Sequence, residues 1–234
     1  MQKNSPLSIF LAITTLFTGN SCTNEIGNSK DVAQDKIYQN YDVKYVEGND
    51  QVEISAQFRF AGKNGTTLVL DSPSRFEIDS NLIKVDSNTY RGAYYETQRP
   101  ASVFGRNHSV HFTDINNKKY TNEIAFDEFT LDNVPESALK SQPLNIGFKN
   151  AILNENDYIE ITSVDSDSSF SITHSYKENS SSILIPAAQL QRQKAKKLTL
   201  SATLYRMVPL KHITLEGGMM SVTHTLKPVT IKLN

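Results

Sequence analysis

Cysteine is almost absent: the chain of 234 residues holds one, Cys22. No internal disulfide can form, so stability has to come from hydrophobic cores alone. Tryptophan is missing altogether, which removes the side chain that sugar-binding platforms use most for stacking. The apolar run Leu7–Phe17 falls short of the roughly 20 residues that cross a bilayer, and no other stretch is longer. Charge imbalance is lacking too. The formal net charge is -1, with acids and bases interspersed, so no basic patch offers a footprint for nucleic acid. There is no Gly-x-Ser-x-Gly elbow, no phosphate-binding glycine loop and no cysteine nucleophile beyond residue 22.

What is present begins with an address. Lys3 precedes the apolar run, and Thr18-Gly-Asn-Ser-Cys22 follows it with small residues at Gly19 and Ser21. Residues 1–21 thus read as a secretory signal peptide in its basic, apolar and cleavage regions. Its end resembles the lipobox of bacterial lipoproteins, matched at Ser21 and Cys22 and departing from it at Gly19, where leucine is usual. That resemblance implies lipidation of Cys22 and a membrane anchor in the bacterial cell envelope, most simply at the outer membrane. Plain secretion with a free Cys22 thiol is the alternative.

Residues 22–36 are polar and without apolar periodicity, and are expected to be a flexible tether. From Ile37 the pattern turns to period two. Tyr41, Val43 and Tyr45 alternate with polar neighbours, as do Val52, Ile54, Ala56, Phe58 and Phe60, with the turn Glu47-Gly-Asn-Asp50 between the two runs. These are the two arms of a hairpin. Short strands are predicted to follow at 66–70, 75–78, 82–85, 89–95, 109–113 and 120–126. The stretch 132–143 carries two prolines and is the expected boundary, after which strands are predicted at 144–148, 158–164, 169–176, 182–185, 198–206, 221–226 and 229–233. Many short strands separated by turns predict an all-β chain of two antiparallel β-sandwich domains, 37–132 and 144–234.

One helix is predicted, over Ala187–Lys196 after Pro186, with Leu190 as its sole apolar anchor. The segment Ile183-Leu-Ile-Pro-Ala-Ala-Gln-Leu190 and the strand Leu198–Leu204 resemble the strand, crossover and strand of immunoglobulin-like modules in bacterial surface lipoproteins. The resemblance covers the last half of the chain and implies an immunoglobulin-like sandwich.

Side chains suited to chemistry are dispersed. His108 and His111 stand three apart on a strand, where they point to opposite faces, and His174, His212 and His224 are scattered. The run Asp165-Ser-Asp-Ser-Ser169 alternates oxygen ligands as a calcium loop does, but it lacks the glycine and the bidentate glutamate, and a hairpin turn accounts for it equally well. No metal, cofactor or catalytic group is expected. The stretch of most interest is Thr89–Arg106, which gathers Tyr90, Tyr94 and Tyr95 with Arg91, Arg99 and Arg106. Tyrosine and arginine bring flat area and donors at low entropic cost, so a loop of this make-up is suited to a glycan or a protein partner. The competing reading places Tyr90 and Tyr94 in a core, with the arginines solvated. The expected function is a non-enzymatic binding or assembly role at the cell surface, held to the membrane by a lipid. A glycan-binding surface lipoprotein and an envelope hydrolase are the alternatives.

Overall fold

The computed structural model describes residues 25–49, 51–102, 107–125, 129–164, 169–175, 177 and 181–234. The period-two runs form β2 (Ile37–Val46) and β3 (Gln51–Phe60), paired antiparallel with Tyr41 opposite Ala56 and Val43 opposite Ile54. Ile37, Tyr41, Val43, Ile54 and Phe58 are fully buried, each contributing roughly 1.5–3 kcal/mol by leaving water. Asn40, Asp42, Lys44, Ser55 and Gln57 occupy the opposite face.

The far edge of β3 is shared by β4 (Thr66–Val69) and β8 (Gly92–Pro100), and β7 (Val85–Asn88) lies beyond β8. A four-stranded sheet covers the inner face: β10 (Lys119–Ala125), β9 (Asn107–Thr113), β5 (Arg75–Ile78) and β6 (Asn81–Ile83), in that order. Aromatic rings join the layers, Phe58 to Phe112 at 4.6 Å and Tyr41 to Phe76 at 5.8 Å.

A second sandwich is built from β14 (Tyr158–Ser163), β15 (Ser171–Ser175), β17 (Lys197–Val208), β19 (Val229–Leu233) and β12 (Ser137–Ala138). Against them lies a three-stranded sheet of β11 (Thr130–Asp132), β13 (Leu144–Lys149) and β16 (Ser182–Ile185). Ile146, Ile159, Ile161, Ile185, Leu198 and Leu200 form its dry centre. The chain is all-β, two β-sandwiches in tandem.

The two sandwiches are joined through β18 (Gly218–Thr225). It pairs antiparallel with the outer half of β17 and, on its other edge, parallel with β2 over eight consecutive residues, Gly218–Gln39 to Thr225–Val46. Met220 and Val222 point into the first core, while Leu226 belongs to the second. One hydrogen-bonded sheet therefore runs from β3 through β2, β18 and β17 to β14 and β15. Where β18 enters beside β2, a Cβ on Gly218 would lie 2.6 Å from the Gln39 carbonyl oxygen, so only glycine permits that approach.

Three expectations need correction. Residues 26–36 are not a flexible tether. β1 (Ile26–Asn28) pairs parallel with β4, and Ser29 is buried with its Oγ accepting from the Asp71 N–H at 2.9 Å. A strand added through its backbone needs no apolar alternation, so no signal marks it. The predicted helix ends early, as α1 (Ala187–Gln191). Leu190 is fully buried, and with that single anchor one turn is all that packing supports. The strand predicted at 89–95 runs instead from Gly92 to Pro100, because Asn88 Oδ1 accepts from the N–H groups of Tyr90 (3.0 Å) and Arg91 (2.8 Å) and fixes 89–91 as a turn.

Candidate functional site

The tyrosines and arginines of 89–106 do not form one cluster, because β8 deals them to opposite faces of the sheet. Tyr90, in the turn, is 88% exposed. Arg91 and Tyr94 lie on the outer face, the guanidinium 3.8 Å above the ring, with Arg91 Nη1 2.6 Å from Glu96 Oε2. The Tyr94 hydroxyl donates to Asp86 at 3.0 Å. Tyr95 turns inward and is 3% exposed, against Phe58 and Phe76, and its hydroxyl oxygen accepts from the Leu70 N–H at 2.7 Å. Burial pushes the Tyr95 hydroxyl up to about 12. Tyr95 is thus a core residue and not the ligand contact it was expected to be. Arg99 shares its face of β8, and Arg106 lies outside the described residues.

The consequence for mutants differs sharply along this stretch. Tyr95→Ala is expected to cost about 3–5 kcal/mol, as large aromatic deletions in cores do, whereas Tyr90→Ala is expected to stay within about 0.5 kcal/mol. Urea denaturation of the two variants checks this; equal midpoints would remove Tyr95 from the core.

A cleft of about 570 Å³ opens on the outer face. Its walls are Asn40, Asp42 and Lys44 of β2, Glu53, Ser55 and Gln57 of β3, Arg91 and Glu96 at β8, and Met219 and Ser221 of β18. Strand register sets these side chains in rows: Glu96, Ser55, Asp42 and Ser221 are successive partners across four strands. Lys44 Nζ lies 2.9 Å from Asp42 Oδ2, and the Ser221 hydroxyl donates to Asp42 Oδ1 at 2.7 Å. The Asp42 hydrogen bond and charge hold the Lys44 ammonium above its ordinary range. Both cations of the cleft are therefore matched to carboxylates. Gln57 is fixed as well, its Nε2 donating to the Arg91 carbonyl at 2.7 Å. Such a surface is pre-organised for hydrogen bonding to a ligand.

A smaller hollow of about 230 Å³ continues the face into the second sandwich, with Ser221 common to both. Here Tyr158 and Tyr205 stack with centroids 4.5 Å apart and planes at 17°. Beneath them Asp157, whose side chain has no exposed surface, accepts from Arg206 Nε at 3.0 Å and from the Met207 N–H at 3.0 Å.

The histidines stand apart. His108 Nδ1 lies 2.6 Å from Asp79, and His111 reaches Thr121 at 3.0 Å. His174 is buried edge-on to Phe148, and His212 meets the Thr121 carbonyl at 2.7 Å. Among the described residues no three histidine, cysteine, aspartate or glutamate side chains converge as metal ligands; residues 165–168 of the acidic run lie outside them.

His224 sits where the sandwiches meet, 5.0 Å from the Tyr45 ring and 6.1 Å from the Phe129 ring, with Glu47 Oε1 3.4 Å from its Nε2. Burial lowers its pKa against an opposing pull from Glu47, and burial also lowers that of His111. A histidine that resists protonation when folded contributes stability above its unfolded pKa of roughly 6.5, and that contribution is lost as pH falls. Stability is expected to drop between about pH 7 and 5, and His224→Phe to flatten the slope. Urea midpoints across that range check it, and an unchanged slope in the variant would refute the assignment.

Among solved structures the chain is similar to DIP-gamma IG1+IG2, at 9% identity and a TM-score of 0.23, over 84% of this chain and 95% of that one. It is similar as well to the structure of Dpr11 IG1 bound to DIP-gamma IG+IG2 (10% identity, TM-score 0.24, 82% of this chain and 96% of that one). A third is SGBP-B of the Bacteroides ovatus mixed-linkage glucan utilization locus, in complex with a mixed-linkage heptasaccharide (11%, 0.21, 100% of this chain and 71% of that one). No protein-family model matches the chain, and neither does any curated protein. At such TM-scores the site has to be argued from its own residues.

Proposed function

We propose that the chain is an exported, non-enzymatic binding protein of the bacterial cell envelope, fastened to the outer membrane through a lipidated Cys22. In this reading residues 1–21 are removed on export, and the sheet shared by the two sandwiches carries the binding surface. The supporting observation is the cleft on the outer face, whose two cations are each paired with a carboxylate and whose Gln57 amide and Ser221 hydroxyl are held in place. Arg91 lines it with its guanidinium over the Tyr94 ring, while Tyr90 and Arg99 are not among its walls.

Carboxylates do line this cleft, and glycoside hydrolysis requires two of them. It requires further that one stay protonated through desolvation. Asp42 is committed to Lys44 and Ser221 and Glu96 to Arg91, which leaves Glu53, alone of the three lining carboxylates, without a pair among the described residues, and the surroundings are amides and hydroxyls. That setting favours ligand binding over acid catalysis.

The anchor is tested by metabolic palmitate labelling with fractionation of the envelope. Wild type is expected to carry label in the membrane fraction, and Cys22→Ala to lose both label and membrane association. A wild-type protein without label overturns the anchor.

A further inference from the structure

We infer that the outer face of the shared sheet binds an uncharged, linear oligosaccharide that lies across both sandwiches. The inference rests on the binding role proposed for the cleft and names its ligand. Length comes first. One row of register partners runs Gln98, Glu53, Lys44, Thr223, Tyr205, Tyr158 from β8 to β14, which at about 4.8 Å between strands spans on the order of 24 Å. The two hollows lie along this row and share Ser221 as a common wall. A ligand that fills both is a chain of several units.

Charge comes second. Lys44 and Arg91 are neutralised by Asp42 and Glu96 at 2.9 and 2.6 Å, and Arg206 is held by Asp157 at 3.0 Å. A phosphate, sulfate or carboxylate ligand would have to compete with Asp42, Glu96 and Asp157 for these cations and would also face Glu53, the third carboxylate of the cleft. A neutral polyol breaks none, since its hydroxyls donate to Asp42, Glu53 and Glu96 and accept from Asn40 and from the remaining donors of the Lys44 ammonium.

Chemistry of the backbone excludes the commonest competitor. An extended peptide binds by adding to a free sheet edge, but β3, β2, β18 and β17 are paired on both sides. The face offers side chains only. At its far end the Tyr158–Tyr205 stack, with the Tyr205 hydroxyl 3.3 Å from Glu160 Oε2, presents aromatic surface beside hydrogen-bonding groups, the combination that the C–H face and hydroxyl rim of a sugar ring require.

The test uses the mature chain in calorimetry against neutral glucan, mannan, xylan and galactan oligosaccharides of two to eight units, with sulfated and uronic acid oligosaccharides alongside. At least one neutral series is expected to bind, at least tenfold more tightly as six units than as two. Tyr205→Ala is expected to weaken the six-unit ligand about tenfold while thermal stability holds. Binding confined to charged glycans, or equal affinity for two and six units, overturns the inference. So does silence across every neutral series, and a peptide ligand whose binding is lost in Gln57→Ala would then leave the broader binding role standing. Should glycans still bind when Ser55→Arg and Thr223→Arg together fill the face, the ligand sits elsewhere and the proposed site itself fails.

Discussion

A fragment ending at Pro143, residues 25–143, is expected not to fold on its own. It contains every strand of the first sandwich except β18, and β18 supplies both the partner for one whole edge of β2 and two core side chains, Met220 and Val222. Those side chains contribute roughly 1.5–3 kcal/mol each, and eight residues of ladder are lost with them. Domains of this size are stable by only about 5–15 kcal/mol in total, so the deficit takes most of what holds the unit together. The full-length chain is accordingly expected to melt in one cooperative transition, with both sandwiches lost together. Calorimetry of the two proteins decides the matter. A fragment that melts cooperatively within a few degrees of the full chain would show that the shared sheet is an accessory.

Asp157→Ala is expected to cost as much as emptying the core at Tyr95. The carboxylate, with no exposed surface, accepts from the backbone N–H groups of Asn154 at 2.9 Å and Met207 at 3.0 Å, from Asn154 Nδ2 at 3.1 Å and from Arg206 Nε at 3.0 Å. Removing it strands those donors and breaks the ion pair to the Arg206 guanidinium, itself only 15% exposed. The loss is expected at about 3–5 kcal/mol, a fall in Tm of about 10 °C for a chain of this length. Asp157→Asn keeps the shape and one acceptor oxygen, so its loss is expected to be smaller. A thermal melt shifted by less than 2 °C in Asp157→Ala would refute the account.

Asp157 also shows what kind of residue escapes a linear reading. Nothing in Asn154-Glu-Asn-Asp157 distinguishes it from a solvated turn, since Arg206 and Met207 approach from about 50 residues further on. The cleft escaped for the same reason. Asn40, Asp42, Ser55 and Gln57 were legible as the outward set of the first hairpin, but Met219 and Ser221 complete the cleft from the opposite end of the chain. The tyrosines of 89–95 were legible as a cluster and mistaken in orientation. Moving the start of β8 to Gly92 decides which ring faces in, and that start is set by an asparagine side chain capping a turn.

By itself the sequence determined the class of fold, because alternation of apolar and polar side chains is a local property that any strand must satisfy to bury one face. It determined equally that no disulfide would hold the cores. Only the tertiary structure decided that residues 26–28 join the sheet, that β18 crosses from one sandwich to complete the other, and that one sheet is shared by both. Those features are made by backbone hydrogen bonds between segments far apart in the chain. Every residue carries the same donor and acceptor, so pairing of that kind leaves no mark in the order of the side chains.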